Sequence, residues 1–310
     1  MSALICGSIA FDTVMVFDGR FRDHILPDRI HLLNVSFLVP GLKRNYGGCA
    51  GNIAYNLGVL GGQGAPMATV GRDFAPYADW LRERSVDLRY VREVPDEYTA
   101  QAYITTDLDD NQITAFHPGA MNHSHLNRVP VGDGVSLGVV APDGREGMLE
   151  HARQFAEAGI PFLFDPGQGL PMFNGDELLA FVDRATWVAV NDYEGQLLQE
   201  RTGVPLAGLA RRVAALVVTR GADGSVIHAD GREIRIPAAR PDAVVDPTGC
   251  GDAYRAGLVY GIQHGLDWET TGRIASLMGA IKIAHAGTQH HRCTRQEFED
   301  RYRASFGRPL

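Results

Sequence analysis

The sequence predicts an α/β fold: a doubly wound, mostly parallel sheet flanked by helices, with a small β-sheet lid. Three observations predict it. Short β-rich runs alternate with amphipathic helical segments over most of the 310 residues, the order expected of strand–helix–strand units. Two regions, residues 12–40 and 88–118, break the alternation and read as strands with no helix between them. The composition, 45% hydrophobic and 21% charged without a low-complexity tract, provides ample chain for a core.

Taken in order, ALICGSIA reads as the first strand. GNIAYNLGVL reads as a helix whose Ala50, Ile53, Leu57 and Leu60 share one face. GAPMATVG and YADWLRERSV continue as strand and helix. SLGVVAP, PFLFDP, TWVAVND and AALVVTRG are further strands, separated by the helical EGMLEHARQFAEAG, ELLAFV and YEGQLLQERTG. Ile274, Leu277, Met278 and Ile281 mark a second core helix, and CTRQEFEDRYRASFGRPL reads as a surface helix with a loose end. The core domain is therefore expected over residues 1–11, 41–87 and 119–310. In the two remaining regions HLLNVSFLV, LRYVREV, TAQAYITTD and NQITAFHP read as lid strands, with Phe37, Tyr103 and Phe116 supplying aromatic surface for a ligand or for a homodimer through the lid.

A net charge of −8 argues against a nucleic-acid groove, which needs clustered positive charge. No apolar run approaches the ~18 residues of a membrane span, and MSALICGSIAFD lacks the basic start and cleavage site of a signal peptide, so a cytoplasmic protein with no membrane partner is expected. Cys6, Cys49, Cys250 and Cys293 are widely spaced, which favours free thiols. Only two lysines occur, Lys43 and Lys282, beside 27 arginines; composition alone assigns them no role.

The segment VVDPTGCGDAYRAG, Val244 to Gly257, places an apolar pair that reads as buried before a turn, two glycines around a cysteine, and an acid at the mouth of a helix. Gly249 and Gly251 allow a tight turn, and a helix beginning near Cys250 offers unpaired N–H groups to an anion. Phosphate is the usual guest, yet no GxxxxGK[ST] loop occurs, so backbone and metal must supply the positive charge. Asp252 then stands where an incoming hydroxyl would hand over its proton, the position of a general base in phosphoryl transfer. A first-turn acid favoured by the helix dipole explains the same residue.

In YGGCAGNIAYNLGVLGG the double glycine at Gly47 and Gly48 permits close approach of a ligand, and Asn52 enters the first turn of a helix; tight helix–strand packing explains these glycines equally well. VNDYE puts Asn191 and Glu194, and VVTRGADG puts Thr219, Gly221 and Gly224, at the ends of apolar strands, where α/β sheets bind ligands.

Together these segments closely resemble the ribokinase-like (PfkB-type) family of carbohydrate and purine kinases. The double-glycine segment is similar to its first signature, DPTGCGDAYRAG to its second, NDYE to its NxxE motif and TRGADG to its nucleotide-side turn, in family order over nearly the whole chain. GSIAFD, FRDHILPDRIHLLNVSFLV, GGCAGNIAYNLGVLGG and FHPGAM are most similar to the bacterial adenosine kinases. The resemblance implies a ribokinase-like fold and transfer of the ATP γ-phosphoryl to the 5′-hydroxyl of adenosine in purine salvage, with Asp252 as base and Gly249, Cys250 and Gly251 as anion hole. Asp12, closing the first strand, would hold ribose hydroxyls with Gly47, Gly48 and Asn52, while Ser8 and Ser36 line the nucleoside pocket and Phe116 stacks on the purine. Asn191 and Glu194 would organise Mg²⁺ through water, Thr219, Gly221 and Gly224 would face ATP, and Asp246 with the AHAGTQ loop would hold a K⁺ ion. Cys250 stands where many relatives carry Ala or Val; a place at a helix N-terminus favours a lowered thiol pKa, and the more ordinary reading is a small buried residue of which only the backbone amide is used.

The alternatives are a kinase for another nucleoside or for ribose or fructose, and a catalytically silent nucleoside sensor. A nicotinamide enzyme is disfavoured because no GxGxxG follows the first strand. His123, His125, His290 and His291 read as solvated loop residues without a third metal ligand, and DLDD at 107 to 110 reads as a hairpin turn.

Overall fold

The computed structural model describes residues 2–25, 34–109 and 111–310. The chain begins β1 (Ser2–Cys6), β2 (Ala10–Val16), β3 (Gly41–Gly47), α1 (Cys49–Val59), β4 (Gly64–Gly71), α2 (Ala75–Arg82) and β5 (Val91–Val94). It continues through β6 (Ala100–Thr106), β7 (Gln112–His117), β8 (Val135–Val140), α3 (Arg145–Glu157), β9 (Phe162–Phe164), α4 (Gly175–Arg184), β10 (Trp187–Asn191) and α5 (Asp192–Thr202). The last part contains α6 (Leu206–Ala210), β11 (Ala215–Thr219), β12 (Ser225–Ala229), β13 (Arg232–Ile236), α7 (Cys250–Gln263), α8 (Trp268–Ile283) and α9 (Arg295–Phe306).

Nine strands form one sheet in the order β13-β12-β11-β10-β9-β8-β1-β4-β5, parallel except where β12 meets β11 and β13. Helices cover both faces. On one face Ile53, Leu57, Tyr77, Leu258, Ile274, Met278 and Phe298 join α1, α2, α7, α8 and α9 to the sheet; on the other Met148, Phe155, Phe181 and Leu198 join α3, α4 and α5. Each core helix buries the face its spacing marks, since Ala50, Ile53, Leu57, Ile274, Leu277, Met278 and Ile281 are all at most 2% exposed. No helix among the described residues is long and apolar enough to cross a membrane.

A second sheet, β3-β2-β6-β7, stands apart from the first. Its membership differs from the sequence expectation. LRYVREV supplies β5, which lies parallel to β4 at the edge of the large sheet; α2 provides the crossover that a parallel strand requires. Ala10, Phe11 and Gly41–Gly47, expected in the core, join the small sheet because β2 and β3 pair antiparallel from Ala10–Gly47 to Val16–Gly41. Of HLLNVSFLV, residues 31–33 lie outside the described residues, and residues 34–39 form no strand. Phe37 packs instead against Phe17 and Phe21 at ring-centroid distances of 4.8 and 5.1 Å. In the DLDD turn Asp107 accepts hydrogen bonds from the backbone N–H groups of Phe21, Asp109 and Asn111. The chain end is less loose than expected, because Leu310 packs against the core.

Two glycines in helices test this packing. A Cβ on Gly257 of α7 would lie 2.4 Å from Ala275 Cα in α8, whereas one on Gly58 of α1 would meet nothing within 4 Å. Gly58→Ala should therefore stabilise the fold by about 0.5–1 kcal/mol, while Gly257→Ala should lower Tm by forcing α7 and α8 apart. Thermal denaturation of the two variants checks the contrast, and equal effects would contradict the packing.

Candidate active site

The N-termini of α1 and α7 converge. Each helix starts from a glycine with positive φ, Gly48 at 86° and Gly249 at 79°. At Gly48 a Cβ would collide with Ala10 N and Ser8 O, both at 2.6 Å, so only glycine lets the lid strand turn into α1 at this point. Ser8 caps the arrangement, its Oγ accepting from Cys49 N–H at 3.1 Å and its carbonyl from Ala50 N–H at 2.9 Å.

Asp252 and Asn52 meet at this convergence: Asn52 Nδ2 donates to Asp252 Oδ2 at 2.8 Å. Gln289 fixes the orientation of Asn52, donating from Nε2 to Asn52 Oδ1 at 2.9 Å and to Tyr77 Oη at 2.5 Å while its own Oε1 accepts from Trp80 Nε1 at 3.1 Å. Tyr77 in turn donates to the Gly47 carbonyl at 2.8 Å. With Gln289 donating to the Asn52 oxygen, the Asn52 amide nitrogen is directed at the carboxylate.

Behind Asp252, Arg255 lies one helical turn along α7 and is 4% exposed. It binds Asp165 through Nε (3.1 Å) and Nη2 (3.0 Å), and its Nη2 is 3.7 Å from Glu194 Oε2. Burial raises the Asp252 pKa to about 7; the Asn52 hydrogen bond and Arg255 lower it while Asp165 raises it. Such a carboxyl is suited to exchanging a proton near neutral pH. Asp12, half-buried, is raised to about 6 by burial and by Asp246.

Asp12 lies on β2 of the small sheet, and not at the end of the first large-sheet strand. Its carboxylate faces Gly47, where a Cβ would come within 2.4 Å of Oδ2. In register Asp12 pairs with Ala102 on β6, and Ala102 with Phe116 on β7. Paired residues project to the same face of a sheet, so Asp12 and Phe116 share one face, two strands or about 10 Å apart, with a methyl group between them. The Phe116 ring is half exposed. Ser36 is exposed beside the packed Phe37.

Asn191 and Thr219 pair in register at the carboxyl ends of β10 and β11. Asn191 and Glu194 form a capping box: Asn191 Oδ1 accepts from Glu194 N–H at 2.7 Å, and Glu194 Oε2 from Asn191 N–H at 2.8 Å. Gly221 and Gly224 follow in a turn that needs positive φ, 54° and 82°. Asp165 and Glu194 are both linked to Arg255, and no group of three or more metal-ligating side chains gathers among the described residues.

Several expectations differ from what the structure places here. Val244 and Val245 are 75% and 54% exposed, because their segment runs outside the sheet and is tied through the Val245 N–H to the Ile283 carbonyl. Cys250 N–H closes a turn onto the Pro247 carbonyl at 3.2 Å. The Cys250 thiol is not acidified: burial pushes it up to about 11, with Lys282 opposing. His291 is not solvated but fully buried, its Nε2 2.7 Å from Asn56 Oδ1, and burial lowers its pKa to about 3. The oxygens expected to hold K⁺ are engaged: the Asp246 carbonyl accepts from Lys282 Nζ at 2.7 Å, and its carboxylate from Thr248 and Gly287 N–H groups.

Sequence reasoning misses Asp165, Arg255, Gln289 and Tyr77. Two have a visible signal: Asp165 is the acid closing the apolar strand PFLFDP, and Arg255 is a lone cation one turn after Asp252 among small residues.

A model of pfkB family carbohydrate kinases matches residues 12–295. A nucleoside kinase of Methanocaldococcus jannaschii is 32% identical over 259 residues, 83% of this chain and 85% of that protein. The structure of a Burkholderia thailandensis nucleoside kinase in complex with inosine is 52% identical, covers 99% of both chains and superposes with a TM-score of 0.90. The ADP-inosine complex of that kinase is 54% identical, with 99% of this chain and 97% of that one covered and a TM-score of 0.88.

The raised acids carry a cost to stability. Asp252 and Asp12 have folded values above the ~3.9 of an unfolded aspartate, so their contribution is fully present below that value and is lost as pH rises through about 6 to about 7. Asp252→Asn should therefore raise Tm over the wild type at about pH 8 and much less at about pH 5. Melting curves at the two pH values test this, and a pH-independent difference would contradict the raised pKa.

Proposed function

The chain belongs to the pfkB family of carbohydrate kinases, and we propose that it is a nucleoside kinase transferring the γ-phosphoryl of ATP to the 5′-hydroxyl of purine nucleosides. The observation that carries this reading is the Asn52–Asp252 contact: a carboxyl with a pKa of about 7, beside a glycine-capped helix N-terminus. Asp252 takes the proton of the 5′-hydroxyl as its oxygen attacks the γ-phosphorus, and ADP leaves. The first turn of α7, with Gly249 and Gly251, receives the transferred group, and the Cys250 N–H, held by the Pro247 carbonyl, would join it only on release from that turn. Thr219, Gly221 and Gly224 flank the nucleotide, and Asn191 and Glu194 would hold Mg²⁺ through water; that ion supplies charge neutralisation to the phosphates.

On the acceptor side Asp12, Gly47, Gly48 and Asn52 hold the ribose, with Ser8 and Ser36 at the pocket wall. Phe116 lies about 10 Å along the same sheet face, a span suited to a base. Sequence resemblance points to adenosine. The inosine complex of the 52% identical relative supports a broader range of nucleosides, and so does the half-exposed ring, which leaves the base end open. Leu42, Tyr103 and Ile113, exposed on the sheet face opposite Asp12, support a homodimer through the lid. The four unpaired thiols suit a cytoplasmic enzyme of purine salvage.

ADP release measured with adenosine, inosine, guanosine, uridine, ribose and fructose tests the proposal: inosine and adenosine should both react with far higher kcat/KM than either sugar. Asp252→Asn should lose at least about two orders of magnitude in kcat while retaining nucleoside binding. A preference for ribose or fructose, or a variant with near wild-type turnover, would overturn the reading.

Phe116→Ala should cost about 1–3 kcal/mol of nucleoside binding, the scale of base–aromatic stacking, and leave ribose unaffected. If the inosine-to-ribose ratio of kcat/KM is unchanged, Phe116 does not contact the base.

A further inference from the structure

Lys282 is one of two lysines in a chain with 27 arginines, and its side chain is fully buried. It lies in the last turn of α8. Nζ donates to the Asp246 carbonyl at 2.7 Å and to the His285 carbonyl at 3.1 Å. Burying an ammonium costs several kcal/mol unless oxygen ligands offset it. Here two carbonyls, the negative end of α8 and the nearby Asp246 carboxylate do so. The chain's cations are otherwise almost all arginine; a small cage of carbonyls requires a compact point charge, which the planar guanidinium is not. An ammonium is close to a potassium ion in size, and it takes the same kind of ligand.

The Asp246 carbonyl that Lys282 holds belongs to the turn that leads into α7. Asp246 N–H donates to the Ile283 carbonyl at 3.1 Å, its carboxylate accepts from Gly287 N–H and Thr248 N–H, and Cys250 Sγ lies 4.0 Å from its carbonyl. The turn begins at Asp246, the chain enters α7 at Cys250, and Asp252 follows in the first turn of that helix.

We infer that Lys282 is a tethered monovalent cation: its ammonium fills the carbonyl cage beside the Asp246–Asp252 loop and holds that loop in place without potassium. Lys282 is thus a positioning residue, acting through the loop and touching neither substrate nor the transferred group. The activity arm of its test rests on the kinase reading, and the stability arm does not.

Wild-type turnover of inosine should be the same in potassium, sodium and tetramethylammonium chloride at equal ionic strength. Lys282→Ala should lose about a hundredfold in kcat, the scale of a misplaced catalytic geometry, with less change in nucleoside KM. Potassium or methylammonium should restore that loss saturably, and tetramethylammonium, too large for the cage, should not. Lys282→Met, which fills the space without charge, should be slow and refractory to rescue. Potassium should also raise the Tm of Lys282→Ala and leave that of the wild type unchanged. Potassium-dependent wild-type turnover, or a folded Lys282→Ala that is neither rescued nor stabilised by these cations, would overturn the inference. If Lys282→Ala does not fold, the wild-type salt series decides. If the wild type phosphorylates no nucleoside, the Tm measurements still decide it, and the failure then belongs to the kinase reading.

Discussion

The hydrogen bond from Asn52 to Asp252 is the constraint on which the site depends. It joins residues 200 positions apart and ties the first turns of two helices that start from glycines with positive φ. An acid at the N-terminus of one helix is ordinarily solvated and ionised. Here it is brought against a second helix and desolvated, and its pKa rises to about 7. Asn52 donates a hydrogen bond that keeps the rise moderate, and it is held in the donating orientation by Gln289.

Arg255 balances the same region. A cluster of Asp165, Glu194 and Asp252 would repel its own members and, on the proposed reading, an incoming polyphosphate. The buried guanidinium takes Asp165 in a two-point contact and stands near Glu194, leaving Asp252 as the acid that titrates near neutrality. Glu194 also closes the capping box of α5, so its position is set by helix geometry before any ligand arrives.

Much of this is legible in the sequence, and the parts that are not have physical reasons. Strand–helix alternation and the faces of α1 and α8 are local patterns, and local patterns survive folding. The glycines and Asp252 are readable because a helix start constrains residue type. Composition alone puts Val91–Val94 in the wrong sheet, because strand pairing is set by what precedes the strand, here α2. Gln289 and His291 are invisible as core residues because a polar loop looks solvated until a buried partner, Asn52 or Asn56, is placed against it. For Cys250 the sequence allows both an acidified thiol and a small buried residue, and burial, which pushes the thiol up to about 11, decides for the second.

The loop after α8 links the two halves of the site. Thr288 donates to the Tyr46 carbonyl and Gln289 to Asn52, beside the start of α1, while Gly287 donates to the Asp246 carboxylate ahead of α7. Lys282 and its bond to the His285 carbonyl fix where that loop leaves the helix. The three loop contacts come from consecutive residues, so the starts of α1 and α7 are tied to one another through this loop. A rigid connection of this kind suits a reaction whose barrier depends on aligning an attacking hydroxyl with a phosphoryl group, because alignment is lost if either side moves alone.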